Sequence, residues 1–325
     1  MNSVSVIIPT FNRPLDVVAH TIRTILEDQE AVEWIERIIV IDQNPDPLDL
    51  SSAPFSLPCV RVHARNCESF QGVGKEIVHI FGLAPSVTRA KNLGCTLAKG
   101  ELLVFFDDDV TVQPGSITAY VECFQEDGEV GFLGGREILD SKLLSDPAWK
   151  RVIRKWMQAD PGKDAEYRFD GRYVGRIQPN SIMLKDFNVP ADRLIRIDGA
   201  RGCNWACRRS WFEKSGGFDE HFQGNALREE TDLYVRLGRL GARGYYLSKA
   251  VVIHHRQPGG CDNLRQSINS LRSKLANDFY FQQKHFKSVP RFYFMARTFP
   301  LVLETLRETR GQSLWVWLAY WFKRR

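Results

Sequence analysis

Methionine is scarce, four in 325 residues, and the seven cysteines (Cys59, Cys67, Cys95, Cys123, Cys203, Cys207 and Cys261) are an odd, scattered set. No two have Cys-x-x-Cys spacing and none joins histidines at zinc-finger spacing, which argues against a disulfide scaffold or a zinc module. Reduced, mostly buried thiols are the expectation, and with them a cytoplasmic setting. Long hydrophobic runs are also missing. Leu314 to Phe322 is the longest, well short of the roughly 20 residues of a spanning helix. Val4 to Ile8 is short, lacks a basic flank and stops at Pro9, so it does not read as a signal peptide. Charge of one sign is not concentrated: the net charge is +5. That suits anionic small molecules or an anionic membrane surface, and no basic stripe marks a nucleic-acid binder.

What is present is an alternation of buried-type strands and amphipathic helices. Ser3 to Ile8, Arg37 to Ile41, Val60 to His63 and Glu101 to Phe106 read as strands. The segment carrying Val17, Ile22, Ile25 and Leu26 reads as a helix, as does Ser86 to Ala98. This order predicts a mostly parallel sheet with helices on both faces, where ligands sit beyond the carboxyl ends of the strands. From Arg136 to Arg196 the pattern weakens, and loops with short helices over the sheet are expected. Gly202 to Ala206, a turn at Gly216 to Asp219, a helix from Arg228 to Leu240 and a strand from Ala250 to Ile253 follow. The remainder reads as helical.

Asp107, Asp108 and Asp109 follow an apolar strand directly. Three adjacent carboxylates repel unless solvated, paired or metal-bound. Hard ions such as Mn2+ or Mg2+ favour carboxylate oxygens and complete their shell with substrate phosphates. A solvated acidic turn is the plainer alternative.

With these residues the chain resembles the inverting glycosyltransferase family 2, of GT-A fold. The likeness runs over about residues 3 to 285 through ordered motifs. They are Val4 to Arg13, Ile39 to Asp42, Thr88 to Gly94 with Ala98 to Glu101, Phe105 to Val110, Gly202 to Ala206 with Gly216 to Glu220, Glu229 to Leu233, and Ala250 to His254. The resemblance implies a catalytic domain over 1–260, with a nucleotide-binding half (1–110) and an acceptor half (111–260), followed by a helical region (261–325). It implies donor binding by Pro9, Thr10, Phe11, Arg13, Asp42, Arg89, Asn92, Asp107, Asp108 and Asn204. A metal, Mn2+ or Mg2+, would be held by Asp107, Asp109 and His254, with His255 on the other face of the strand. Glu230 would be the general base, with Asp232 the second choice and Glu229 beside it. The family usually shows Glu-Asp where this chain has Glu229-Glu230.

Plainer roles stand beside these: a loop cap for Asp42, a surface ion pair for Arg89, a hydrogen-bonded strand end for His254, and helix-dipole and i,i+4 roles for the three carboxylates. The implied partners are a nucleotide-diphospho-sugar, UDP- or dTDP-type favoured, and a saccharide or lipid-linked saccharide acceptor. The aromatic segment 313–325, ending in Lys323-Arg324-Arg325, suits a membrane interface or a protein partner. A sugar-nucleotide nucleotidylyltransferase would need a glycine-rich loop after the first strand, and Pro9 to Arg13 has no glycine. A phosphatase using Asp107 as nucleophile and a non-catalytic nucleotide-sugar-binding module are the other rivals.

Overall fold

The computed structural model describes residues 3–72, 74–140, 165–224, 226–260, 267–306 and 309–322. Cys261 and Lys323 to Arg325 lie outside them, as does 141–164, the middle of the weakly patterned stretch. Strand β1 (Val4–Thr10) sits inside a large sheet, parallel to β2 (Ile35–Asp42) on one side and to β5 (Leu102–Phe106) on the other. Beyond β2 lie β4 (Glu76–Phe81) and β3 (Cys59–His63), both parallel. Beyond β5 come β12 (Asn204–Arg208), β7 (Val130–Leu139), β13 (Arg243–His254) and β11 (Ile195–Ile197), with β6 (Val110–Val112) also on β13. β12 runs antiparallel to both its neighbours, while β7 and β13 are parallel to each other.

Alternation along each strand decides which helix it meets. Val4, Val6 and Ile8 of β1 pack with Ile22 and Ile25 of α1 (Leu15–Leu26) and Val121 and Phe124 of α4 (Ser116–Glu126). Ile7, with Phe105 and Trp205, faces Ala90 of α3 (Val87–Thr96) and Leu233 and Leu237 of α6 (Glu229–Arg239). Leu240, expected on that buried face, is instead 38% exposed past the helix end. The Trp205 and Phe105 rings stack at 4.2 Å across the antiparallel pair. Each such buried side chain contributes about 1.5–3 kcal/mol.

Between α1 and β2 lies a short helix, α2 (Gln29–Trp34), and a short α5 (Arg209–Ser215) follows β12. Where loops and short helices were expected, β7 runs on to Leu139 and a small antiparallel sheet forms. It comprises β8 (Arg168–Phe169), β9 (Arg172–Ile177) and β10 (Met183–Lys185). The chain closes with α7 (Ile268–His285), α8 (Arg291–Thr305) and α9 (Gln312–Phe322). No described helix is long and apolar enough to cross a membrane.

The topology chooses the ligand position. After β1 the chain builds outward to β2, β3 and β4, then returns to place β5 on the other side of β1. The switch point therefore falls between the ends of β1 and β5, at Thr10 and Phe106, the crevice where such sheets bind ligands.

Candidate active site

Asp107, Asp108 and Asp109 leave β5 at this crevice and take different tasks. Asp108 is buried, accepting hydrogen bonds from Thr10 Oγ1 (2.7 Å) and Arg13 Nε (3.0 Å). Burial and its two aspartate neighbours, against Arg13, push it up to about 7. Asp109 accepts from Arg13 Nη2 and the Gln257 amide, both at 2.8 Å. Burial opposes its ionisation, but His254, Arg13 and that amide hold its pKa below the usual value. Asp107 keeps a 38% exposed side chain. Desolvation and the charges of Asp109 and Glu230, opposed by His254, push it up to about 6.

His254 ends β13 with Nε2 turned to Asp109 Oδ1 at 3.3 Å and Asp107 Oδ2 at 3.8 Å. Its other nitrogen, Nδ1, is 2.7 Å from Glu137 Oε1 on β7. Arg201 grips the same carboxylate through Nε (2.7 Å) and Nη2 (3.3 Å). Glu137 is buried, yet His254 and Arg201 hold it ionised, well below the usual carboxylate range. An ionised Glu137 accepts a hydrogen bond from Nδ1–H and leaves Nε2 to face the aspartates, the arrangement of metal-ligating histidines. Burial alone would lower the His254 pKa, but Asp109, Cys203 and Glu137 reverse that, to about 12. A proton on the ring thus balances the cluster's charge. His255 points to the other face, to Thr111 Oγ1 at 2.7 Å. Among the described residues, Asp107, Cys203 and His254 form a group whose ligand atoms lie within 4.8 Å of one another. Two carboxylates and an oriented imidazole fit Mn2+ or Mg2+, and the buried Asp109 Oδ1, which makes no hydrogen bond, is an oxygen suited to such an ion.

The carboxylates opening α6 sit against this cluster. Lys91 of α3 is buried and donates to Glu229 Oε1 (2.8 Å) and Glu230 Oε1 (2.6 Å). Desolvation would discharge it, but the two glutamates raise its pKa. Glu229 is buried, and desolvation with the adjacent Glu230 charge raises its pKa against Lys91. Glu230 is 24% exposed and lies on Gly202, where an added Cβ would come within 1.9 Å of its Oε1. The backbone leading into α6 is held in a left-handed turn, with φ 82° at Arg228. That strain is met by the Arg228–Asp278 ion pair, 2.7 Å.

Several expected residues serve elsewhere. Asp42 is fully buried, and its oxygens accept from the Asn44 and Leu48 amides, Asn44 Nδ2 and His79 Nε2. It builds the loop after β2 and has no face left for a base. Asn204 is fully buried, accepting from Tyr120 and donating to the Arg136 and Ala250 carbonyls. It joins strands instead of touching a donor. Asp232 is buried among Arg236, Lys284 and His285, all at 2.6–2.8 Å, so it is a structural anchor and not a second base. Asn92 clamps the turn before α6 through Phe218. Arg89 is 53% exposed beside Glu220 at 4.0 Å, the surface ion pair. Pro9 is half-buried, and the Phe11 carbonyl accepts from Gly260.

Arg13 borders a hollow of about 500 Å³ between Asn12–Pro14, Asn44–Leu48 and Pro258–Gly259. A second hollow, about 390 Å³, is lined by Arg176, Arg196, Tyr234 and Phe286 and shares no residue with the acidic cluster. Lys91, Glu137, Arg201 and Cys203 carried no role in the sequence. Lys91 lay within a quoted motif, but its partners are more than a hundred residues away.

Residues 86–216, from the cap of α3 to the end of α5, match the Glycosyl transferase family 2 profile. Over this segment the chain is similar to glycosyltransferase family 2, and the fold is GT-A. The family 2 segment includes the three aspartates, Glu137 and Cys203. Glu230 and His254 lie beyond it, so their assignment rests on geometry. The hyaluronan synthase of Pasteurella multocida is 24% identical over 264 residues, 80% of this chain and 25% of that protein. A solved structure described as GalNAc-T7 with UDP, GalNAc and Mn2+ superposes with a TM-score of 0.55 at 13% identity. The likeness covers 91% of this chain and 56% of that one. The chain thus spans a quarter of the curated relative and just over half of the structural neighbour.

Proposed function

We propose that this chain is a metal-dependent glycosyltransferase that moves a sugar from a nucleotide-diphosphate donor to an acceptor hydroxyl with inversion at the anomeric carbon. The observation that carries this is His254, its Nε2 facing Asp107 and Asp109 while Glu137 fixes its Nδ1, with Glu230 alongside. Asp107, Asp109 and His254 would hold Mn2+ or Mg2+, which when bound supplies positive charge against the departing diphosphate.

The residues of the chain do the rest. Arg13, on the wall of the hollow and paired with Asp108 and Asp109, would face an entering diphosphate. Glu230, steadied by Lys91, accepts the proton of the acceptor hydroxyl. The freed oxygen attacks the anomeric carbon, the bond to the diphosphate breaks, and the electron pair leaves with the nucleotide. UDP- or dTDP-type donors are favoured, and the UDP and Mn2+ named for the GalNAc-T7 structure support that choice. A saccharide or lipid-linked saccharide acceptor would place the chain in cell-surface polysaccharide or glycolipid assembly, at the cytoplasmic face of a membrane. The exposed Trp315, Trp321 and Phe322 of α9 support an interfacial contact there.

A thermal-shift panel of nucleotide diphosphates with and without Mn2+ tests the reading. Stabilisation by UDP or dTDP that requires the ion is expected. If no nucleotide diphosphate stabilises the protein in either condition, the reading is wrong.

A further inference from the structure

The acidic cluster contains a side chain that sugar transfer does not require. Cys203, immediately before β12, is buried, and its sulfur lies within 4.8 Å of ligand atoms of both Asp107 and His254. Asp109 Oδ1, buried without a hydrogen bond, lies 3.3 Å from His254 Nε2 but outside that mutually close set. His254 Nε2 to Asp107 Oδ2 is 3.8 Å. Zinc-type bonds of about 2.0–2.3 Å in tetrahedral array place ligand atoms roughly 3.3–3.8 Å apart, so these spacings already approach such a shell. One nitrogen, one sulfur and one carboxylate oxygen suit a borderline-soft ion, whereas Mn2+ and Mg2+ prefer oxygen.

We propose that Cys203 makes this centre a preferential site for thiophilic divalent ions such as Zn2+, held by its sulfur together with Asp107 and His254. The inference rests on the proposed metal centre and adds a specificity the reaction would not select. Binding forms a metal–sulfur bond and releases the thiol proton to solvent, with no change of oxidation state. Zn2+ also exceeds Mn2+ in intrinsic affinity for nitrogen and sulfur donors. Zn2+ would then act as an inhibitor competing with the working ion.

The experiment uses the full chain. One equivalent of Co2+ should produce a near-ultraviolet thiolate-to-metal charge-transfer band, absent from both Cys203→Ser and Cys203→Ala. In competition followed by the electron paramagnetic resonance of free Mn2+, Zn2+ should displace Mn2+ from wild type. Either variant should weaken Zn2+ by about tenfold or more, the scale seen when a ligand's support is lost, with Mn2+ affinity nearly unchanged. Mn2+ binding together with Co2+ binding that lacks the band overturns the thiol ligand while sparing the metal centre. The wild-type spectrum decides this even if both variants fail to fold. Absence of binding by either ion overturns both.

Discussion

Glu230 stands out among the carboxylates because it combines a partly exposed side chain with a fixed position. Lys91 pins one oxygen, and its charge reaches Asp107. Glu230→Gln should remove transfer by about a hundredfold or more, the scale of lost general-base catalysis, while donor affinity stays within a few-fold. Single-turnover assays beside nucleotide titrations check this; if donor affinity falls with activity, Glu230 is a binding residue. Glu137 is a positioning residue, acting through His254. Glu137→Gln should lower Mn2+ affinity by about 10–100-fold, read by direct metal titration. An unchanged affinity would mean the carboxylate only props Arg201. The strand-end aspartates were legible because like charges after an apolar run have few structural explanations. Glu137, Lys91 and Cys203 were not, because strand pairing and helix packing bring them in from distant segments. The partners of Asp42 and Asp232 were hidden for the same reason: His79 and His285 arrive from 37 and 53 residues away.

At the level of elements, α7 is tied to α6 and the loop before it by three carboxylates. Asp219 meets Lys284 and Tyr280, Asp232 meets Lys284 and His285, and Asp278 lies between Arg228 and Arg297. Desolvation opposes ionisation in each, but these partners win and hold all three below the usual carboxylate range. The folded protein therefore binds fewer protons than the unfolded one. This stabilisation is complete above the unfolded value of about 3.9 and is lost as pH falls through the folded values.

Asp278→Asn would leave two buried guanidinium groups poorly paired, costing about 3–5 kcal/mol at neutral pH. The gap to wild type should shrink on acidification below about pH 4, where the unfolded carboxyl starts to take up a proton, and close once the folded carboxyl is neutral at lower pH. Denaturant melts at several pH values check it, and a pH-independent gap would refute the linkage. α9 carries Trp315 at 74% and Phe322 at 79% exposure beside Leu314 and Trp321. Vesicles containing anionic lipid should retain the intact protein and lose a truncation ending before Leu314; equal retention would exclude this helix as the contact. Legibility varied among elements too. β1, β2 and β5 were readable as apolar runs buried on both faces. β4 was not, since Glu76 and His79 interrupt it, and their buried partners Arg37 and Asp42 lie on β2.

Across the whole molecule, the sheet order β3-β4-β2-β1-β5-β12-β7-β13-β11 puts a crevice at the switch between β1 and β5. A ligand there touches loops from both halves of the sheet, so its binding should stabilise the domain as one unit. At a hundredfold excess over Kd the gain is about 2.7 kcal/mol. A rise of several degrees in melting temperature is therefore the scale expected from Mn2+ with the matching nucleotide. The alternation of strands and helices made this architecture readable. The antiparallel β12 was not, since direction depends on the connection and not on local pattern.

Beneath the ligand cluster, one buried amide joins four pieces of the scaffold. Asn204, on the strand beside β5, receives the Tyr120 hydroxyl of α4 and reaches the carbonyls of Arg136 on β7 and Ala250 on β13. Gly135 leaves room for it, since a Cβ there would lie 2.2 Å from the amide nitrogen. The beams that carry Glu137 and His254 are thus bolted together below their tips, next to the beam that carries Asp107. If this cluster is a cage for an ion, it is built when the chain folds, and ions would be sorted by fit to a preset gauge.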